Sequence, residues 1–526
     1  MKYEKNVKKI LVLILFTLII TGISGCIDIN THNGEDKTDE NMLFIAFGID
    51  RFDGFYPWIE FLNDQSTKIN SNIFNCLVEF DETYKIVPAL AVSWNNPNNL
   101  TWRFNLRKDV KFHNGNNFTA EDVNYSIDII KEDKNNTLYG ILPMVKEVRI
   151  INDFMVDIIT IEPYPILLNK LANVYILSKN YQKNTTSEIP VGTGAYKFSE
   201  YLENNHMILE RFDSYWRKQP KFQNVTIKFI DDYQERLNSL INRKVEMIDF
   251  ILPDSIEELS QIEGIKTLNF LSQVVTYLSF DFRENDSSYI NGKKNPFSNA
   301  QVRKAIYHAI DINEIIGDVF YDFAESASQF VTPYIFGYNP DLEGHPYNLE
   351  RAHEYMNDAG YENGFEVVLD TTTLSANRVN VSKTIANQLS EINISVKLNI
   401  LEGNDFYSKI MNRNSSFYLV GWQVDSGDAG EIFDNILRSV DIDNGFGTYN
   451  FGNYSNPEID RIAANIFCNM NTDERLNLMQ EGFTIAIEDV ACVPLYIYKG
   501  ATAMINEISW QPRADGLIKF EDIDIR

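Results

Sequence analysis

The chain has 526 residues, 44% hydrophobic and 23% charged, a composition typical of globular proteins and not of disordered or collagen-like chains. Its 74 acidic and 47 basic residues give a formal net charge of −27, which disfavours a nucleic-acid partner because the phosphate backbone is also negative. Six histidines and four cysteines are too few for a zinc-cluster protein. The length predicts several domains.

Residues 1–25 have the pattern of a secretion signal. Lysines between Lys2 and Lys9 precede an apolar run, Ile10 to Ile20, which is shorter than the roughly 20 residues that a bilayer-spanning helix needs. The segment Ile23-Ser24-Gly25-Cys26 then resembles the lipobox of secreted prokaryotic lipoproteins, whose cysteine becomes the lipidated first residue. We therefore predict cleavage before Cys26; an uncleaved signal anchor is the alternative.

Residues 26–42 are polar and acidic and have almost nothing to bury, so we predict a disordered tether. An ordinary ragged terminus is the alternative. Whether or not the signal is cleaved, we expect the folded part to lie on the outer face of the cell membrane, attached to it.

From residue 43 onward, predicted strands and helices alternate. The predicted strands are Leu43–Ile49, Thr101–Leu106, Ala195–Phe198, Val225–Ile230, Val274–Phe282, Phe365–Thr371, Ser395–Leu401 and Phe417–Trp422. The predicted helices begin after Thr119 and at the capping box Ser298–Gln301, or span Tyr233–Arg243, Asn348–Ala359, Ser375–Ile392 and Asp473–Asp489. Without a proline-rich linker, we expect the chain to cross between domains as paired strands, an arrangement that permits hinge closure.

A search for catalytic motifs finds none. The sequence has no H-E-x-x-H, no G-x-S-x-G and no phosphate-binding loop, and its histidines form no close pair. The segment Asp441–Gly445 is similar to a calcium loop but lacks the required spacing, so it predicts a turn. Carboxylates are too numerous for spacing to single out a hydrolase pair. We therefore assign no catalytic residue, no metal site and no cofactor.

Several sequence blocks, in order along the chain, point to one family. They are Asn72–Val78, Val87–Trp94, Phe104–Arg107, Val110–Gly115, Phe118–Val123, Gly192–Tyr196, Asn295–Ser298, Val302–Ala305, Ala309–Asp311, Ala359–Tyr361, Gly421–Trp422, Tyr454–Asp460 and Val493–Tyr496. Together they resemble the family-5 solute-binding proteins of ABC transporters, a family that includes oligopeptide-, dipeptide- and nickel-binding proteins. The resemblance covers Leu43 to Arg526.

The resemblance implies an α/β fold of the periplasmic-binding-protein type II (cluster C), with two lobes of mixed sheets, a hinge and an inserted domain. Lobe one would comprise residues 43–73, 193–282 and 500–526. The inserted domain would comprise residues 74–192, and lobe two residues 283–499. The ligand would lie between the two lobes.

The resemblance also implies a ligand site. In peptide-binding members of the family, an aspartate three residues after a tryptophan binds the ammonium group of the ligand, and Gly421-Trp422-Gln423-Val424-Asp425 matches that pattern. An aspartate in an ordinary turn is the alternative for Asp425. The strand Gly421–Gln423 would offer its backbone to an extended peptide, with Ser66, Thr67 and Lys68 as the facing edge. Three aromatic residues would line side-chain pockets or simply fill the core: Trp422, Tyr496 and Tyr498.

These observations favour a monomeric, non-enzymatic binding protein that delivers short peptides to an ABC-type permease. A nickel or other metal chelate and a short oligosaccharide remain alternative ligands, because other family members bind these. An extracellular enzyme on the same scaffold and a sensory binder without a permease are the alternative functions.

Overall fold

The computed structural model describes residues 41–49, 52, 54, 64–132, 138–180, 189–284 and 294–526. The predicted signal, Cys26 and nearly all of the tether lie outside these residues. Residues 41–526 form one compact unit. Among the described residues, none of the helices combines the length and the hydropathy that crossing a bilayer requires.

The described residues alternate between strands and helices. The strands are β1 Met42–Phe47, β2 Val78–Phe80, β3 Ile86–Pro88, β4 Ala91–Asn98, β5 Thr101–Leu106, β6 Val145–Asn152, β7 Met155–Thr160, β8 Tyr196–Leu202, β9 His206–Arg211, β10 Asn224–Phe229, β11 Met247–Ile248, β12 Ile265–Phe280, β13 Ala324–Ser326, β14 Phe365–Thr372, β15 Ile394–Leu401, β16 Phe417–Gln423, β17 Cys492–Ile505, β18 Ile508–Ser509 and β19 Asp524–Ile525. The helices are α1 Asp64–Ile73, α2 Ala120–Glu132, α3 Leu167–Leu171, α4 Tyr233–Ile241, α5 Asp254–Ser260, α6 Ala300–Ala309, α7 Ile312–Phe320, α8 Leu349–Asp358, α9 Ala376–Ser390, α10 Gly403–Met411, α11 Gly430–Ile432, α12 Pro457–Cys468 and α13 Thr472–Glu488.

An 11-stranded mixed sheet runs through the molecule in the order β15-β14-β16-β12-β17-β11-β1-β10-β9-β8, with β13 paired to β17. At one end, β14 is parallel to both β15 and β16. The carboxyl ends of these three strands therefore meet at one edge, where open α/β sheets usually bind ligands.

Two hydrophobic cores flank the middle of this sheet. The first contains Ile265 of β12 and Met504 of β17, and the second contains Tyr277 of β12 and Leu495 of β17. Strands β12 and β17 pair along most of their length, so this two-stranded ribbon passes from one core to the other. The register of the ribbon shifts between Leu271 and Val275 and again at Thr276. The chain therefore passes between the two cores as a pair of strands, as predicted. The hydrogen-bond ladder of this pair is irregular near its middle.

A separate four-stranded antiparallel sheet, β4-β5-β7-β6, lies within the segment predicted as an inserted domain. Helix α2 contacts this sheet, and its first turn is capped because the backbone N–H of Thr119 donates to Asp122 Oδ2 at 2.8 Å. The chain leaves this region through Gly192. A Cβ atom there would lie 1.9 Å from the carbonyl oxygen of Ile73, so only glycine allows this backbone approach.

Most predicted elements are confirmed, including the βαβ unit formed by β14, α9 and β15. The starts of α6 and β12 differ from the prediction for reasons that the structure explains. Helix α6 is capped by Asn299, whose side chain accepts from Gln301 N–H, and not by Ser298, which ends a 3-10 turn. Strand β12 begins at Ile265, nine residues before the predicted start at Val274, because polar residues and the register shift interrupt its alternating pattern.

Candidate functional site

Asp425 lies two residues beyond the end of β16 and contributes to the wall of a cavity of about 350 Å³. We call this the Asp425 cavity. Its wall comes from α1 and the segment after it, the segment after α3, the end of β16 and the C-terminal tail. Residues representing these parts are Thr67, Tyr84, Asn173, Asp425, Arg513 and Lys519. Residues far apart in the sequence thus surround one carboxylate.

The carboxylate of Asp425 is half-buried, and few protein groups stabilise its charge. Among the described residues it accepts one hydrogen bond, from Gln423 Nε2 to its Oδ1 at 2.9 Å. Burial, followed by repulsion from Glu431, raises the pKa of Asp425 to about 6, while the Gln423 hydrogen bond and Lys170 oppose the rise. A carboxylate desolvated in this way gains from a cationic ligand that supplies further hydrogen bonds.

The backbone around Asp425 contacts the segment predicted as the inserted domain. The carbonyl oxygen of Asp425 accepts from Tyr84 Oη at 3.2 Å and from Asn173 Nδ2 at 3.3 Å. Asn169 Nδ2 donates to the carbonyl oxygen of Ser426 at 2.7 Å. These hydrogen bonds fix the strand end on which the carboxylate stands and close the cavity on that side.

Two cations from the C-terminal tail also line the Asp425 cavity. Arg513 is engaged with Asp515, which accepts from its Nη2 at 2.6 Å, and with the carbonyl oxygen of Phe80 at 2.8 Å. Lys519 Nζ donates to the carbonyl oxygen of Ser71 at 2.7 Å, and an ammonium group has three donors. Sequence reasoning missed both residues, since nothing local in the tail indicates that it reaches the site.

The strand Gly421–Gln423 has one paired edge and one open edge. Its residues pair with β12, while the register with β14 includes only Tyr418. On the described part of the chain, the other edge therefore has no strand partner. Arg378 lies beside this strand: a Cβ atom on Gly421 would be 3.1 Å from Arg378 Nη2. Its Nη1 is buried without a hydrogen-bond partner among the described residues, and sequence reasoning missed it as well.

The predicted facing edge at Ser66, Thr67 and Lys68 is wrong, because these residues belong to helix α1. In a helix all carbonyl groups point towards one end and all N–H groups towards the other, so these residues do not present the alternating donors and acceptors with which a strand edge pairs to an extended ligand. Thr67 nevertheless lines the Asp425 cavity.

The three aromatic residues are placed differently from one another. Tyr496 is only 3% exposed and packs on Phe320, with ring centroids 4.5 Å apart. Tyr498 is half-buried on β17, and neither tyrosine lines the Asp425 cavity. Trp422 lines a second cavity, on the face of β16, and its ring contacts Tyr449 at 4.7 Å between centroids. The aromatic residues therefore do not form one pocket with Asp425.

The described residues contain no group of three or more His, Cys, Asp or Glu side chains arranged to hold a metal ion. The polar side chains at the Asp425 cavity are instead three carboxylates, amides, hydroxyls, one thiol and two cationic groups; the carboxylates are those of Glu79, Asp425 and Asp515. That set suits an organic ligand carrying both charges.

The chain is similar to known proteins both in sequence and in fold. Residues 85–444 match the family described as bacterial extracellular solute-binding proteins, family 5 Middle. The chain is similar to heme-binding protein A of Haemophilus influenzae, with 24% identity over 93% of this chain and 94% of the relative. It is also similar to the dipeptide-binding protein of Escherichia coli, with 25% identity over 69% of this chain and 72% of the relative.

Among solved structures, HbpA2 from Haemophilus parasuis superimposes with a TM-score of 0.81 at 21% sequence identity, covering 92% of this chain and 100% of that one. This likeness shows the fold, which is the α/β type II periplasmic-binding-protein fold.

Proposed function

The chain belongs to the family-5 bacterial extracellular solute-binding proteins, the substrate-binding components of ABC importers, and from this membership we propose that it captures short peptides and delivers them to such an importer. The peptide ammonium group binds Asp425 when the lobes close. The observation that carries this proposal is the half-buried carboxylate of Asp425, with a single hydrogen bond among the described residues, in the wall of a cavity.

The size of the Asp425 cavity favours a short ligand. Its volume is about 350 Å³, and a dry cavity of about 150 Å³ already holds benzene. A peptide of two or three residues spans roughly 7–10 Å when extended. Lys519, with donors left over after its bond to Ser71, is positioned to bind the peptide carboxylate. A ligand with opposite charges at its two ends would thus meet opposite charges in the protein.

The comparisons support a peptide ligand without fixing its sequence. A relative that aligns with most of the chain is named a dipeptide-binding protein. The open edge of Gly421–Gln423 adds main-chain hydrogen bonds that any peptide satisfies. Affinity would then depend little on side chains at those positions.

The same proposal includes a lipid tether and no chemical step. The segment Ile23-Ser24-Gly25-Cys26 supports lipidation of Cys26, which would hold the binding domain beside its importer. A Cys26→Ala variant should lose incorporation of labelled fatty acid and appear in the medium. Incubated peptides should be recovered intact, since the proposed site only binds.

The test is native mass spectrometry of the mature chain as purified, followed by calorimetric titration with di- and tripeptides. We expect bound short peptides, and at least a hundredfold weaker binding after Asp425→Asn, which keeps the shape but removes the charge. Asp443→Asn, in an exposed turn, is the matched control. Recovery of a metal chelate, hemin or an oligosaccharide instead of peptides, or unchanged binding by the Asp425 variant, would refute the peptide proposal.

A further inference from the structure

A second cavity, of about 230 Å³, lies over one face of β16. We call it the aromatic cavity. Side chains of a strand alternate between its faces, and Tyr418, Val420 and Trp422 all point to this one. Tyr277 of β12, which is paired with Val420, extends the same wall. The opposite wall comes from the segment after α11, including Tyr449.

The chemistry of the lining is apolar and aromatic. No charged side chain of the described residues lines the aromatic cavity. Asn450, a polar residue in its wall, is satisfied by hydrogen bonds to the carbonyl oxygens of Arg438 and Tyr454 and from Tyr454 N–H. An apolar cavity of about 150 Å³ stays dry and binds benzene, so this larger one suits one or two fused rings.

One polar atom of the aromatic cavity is unsatisfied. The Nε1–H of Trp422 is buried and has no acceptor among the described residues. A buried donor without an acceptor is unfavourable, because it has lost its hydrogen bonds to water. Because Trp422 lines the cavity, a bound ring with an oxygen within reach of Nε1 would pair this donor, whereas a plain hydrocarbon would not.

The entrance is also apolar. Tyr407 and Met411 of α10 are 38% and 59% exposed, and Tyr449 is 45% exposed, although all three line the cavity. Tyr407 and Met411 are four residues apart and so lie on one face of the helix. Exposed apolar residues around an apolar cavity are typical of a binding site.

We propose that the aromatic cavity binds a planar aromatic group of one or two rings bearing an oxygen acceptor. The group comes either from a free small molecule or from a side chain of the captured ligand. The second source rests on the proposed peptide function. Trp422 lines the aromatic cavity and the next residue, Gln423, lines the Asp425 cavity, so the two cavities adjoin the end of β16 from opposite faces, and a peptide would reach both around the open edge of the strand.

The experiment is equilibrium dialysis of the mature chain against 1-naphthol. Ala491→Phe fills the cavity, and Met411→Lys places a charge at its exposed entrance, where folding is not at risk. Ile442→Lys is the matched control, because Ile442 is 72% exposed and does not line the cavity. We expect both cavity variants to bind 1-naphthol about tenfold more weakly or worse, and the control to bind it as the unmodified chain does.

Titration with Ala-Ala and Ala-Tyr distinguishes the two sources, because the tyrosine ring carries an oxygen acceptor. If the ring belongs to the peptide, Ala-Tyr binds about tenfold more tightly than Ala-Ala, and Ala491→Phe removes the difference. Equal affinities assign the cavity to a free aromatic molecule. Asp425→Asn should no longer bind the peptides but should still bind 1-naphthol. Failure of the peptide proposal can therefore be distinguished from failure of the cavity proposal. Two results together would overturn the cavity proposal: 1-naphthol does not bind, or binds both cavity variants as it binds the unmodified chain, and Ala-Tyr binds no more tightly than Ala-Ala.

Discussion

Arg475 of α13 holds Asp428 in a two-point ion pair, with Nη1 to Oδ2 and Nη2 to Oδ1 both at 2.9 Å. Both side chains are at most 5% exposed, and Asp428 Oδ1 also accepts from Gly430 N–H. The turn that follows Asp425 is therefore anchored to a long helix. Two aspartates three residues apart have opposite roles: Asp428 is fully paired inside the protein, and Asp425 has capacity left for a ligand.

Asp428→Asn should destabilise the fold by about 3–5 kcal/mol, because it leaves a buried guanidinium without its counter-charge. Urea unfolding followed by circular dichroism measures the change. The double variant Asp428→Leu/Arg475→Met should recover most of the loss, since replacing a buried ion pair by apolar residues is often neutral. A loss under 1 kcal/mol for the single variant would mean that the pair contributes little.

Ligand affinity and apo stability should respond to pH in opposite directions through Asp425. Burial raises its pKa from 3.8 to about 6, so between these values the folded chain binds more protons than the unfolded chain. This group's contribution to the free energy of unfolding is therefore largest below pH 4 and is lost as the pH rises through 6. Peptide binding requires the carboxylate, so the affinity should fall by up to about tenfold per pH unit below 6.

Calorimetric titration between pH 5 and pH 8 tests the binding half of this prediction. Asp425→Asn is the reference variant. It has no carboxylate to titrate at this position, so its remaining affinity should not change between pH 5 and pH 8 through this group. An affinity for peptides that is equally high at pH 5 and pH 7.5 would contradict an ammonium–carboxylate contact.

His113 should make the fold sensitive to acid. Its Nδ1 accepts from Gly192 N–H at 3.3 Å and its Nε2 lies 3.0 Å from the carbonyl oxygen of Gly194, an arrangement that a neutral ring with Nε2–H satisfies. Burial lowers the pKa of His113 from 6.5 to about 4. Between pH 4 and pH 6.5 the unfolded chain binds more protons than the folded chain. The free energy of unfolding therefore decreases as the pH is lowered, by roughly 2 kcal/mol between pH 7.5 and pH 5.

The opposite contribution of Asp425 overlaps this window, so the test compares variants. The loss of unfolding free energy from pH 7.5 to pH 5 should be smaller in His113→Gln than in the unmodified chain. His353→Gln, at an exposed position, should keep the full loss. Equal losses in the two variants would show that His113 is not the responsible group.

Gly192 should tolerate no side chain. In Gly192→Ala the Cβ atom would meet the carbonyl oxygen of Ile73 at 1.9 Å, and a backbone atom cannot rotate away. We expect a loss of at least about 2 kcal/mol in urea unfolding. Gly317→Ala is the matched control: it lies inside α7 with nothing within 4 Å of the new atom, and should stabilise the chain by about 0.5–1 kcal/mol. Similar effects of the two substitutions would argue against the close approach.

The family and the fold could be predicted from the sequence, as could the elements with a clear local pattern. Helix α6 is one example: Val302, Ala305 and Ile306 recur at helical spacing, and all are buried. Helix α1 was missed because its residues, Asp64–Ile73, are mostly polar or β-branched and only Ile69 and Ile73 mark an apolar face. Its helical form follows from packing of Ile69 and Ile73 in the first core, which no local rule predicts.

Part of the candidate site could likewise be predicted from a local pattern, and part could not. The Trp-x-x-Asp spacing pointed to Asp425, and that carboxylate does lie in a cavity wall. Lys519 and Asn173 line the same cavity but come from segments far away in the chain. Their approach depends on tertiary packing, such as the bond from Asn72 Nδ2 to the carbonyl oxygen of Ile518 at 2.9 Å. Pairings of such separation leave no trace in a single sequence.

The irregular ladder of the β12–β17 ribbon has an energetic consequence. A bend at the break between Leu271 and Val275 changes the backbone of few residues while both cores remain packed. The closure that we propose would then make or break few contacts besides the hydrogen bonds that Tyr84, Asn169 and Asn173 make to the turn at Asp425, so one ion pair with the ligand can decide between an open and a closed form. Under the proposed function, an importer that recognises the closed form would respond to the conformation of the binding protein and not to the ligand itself.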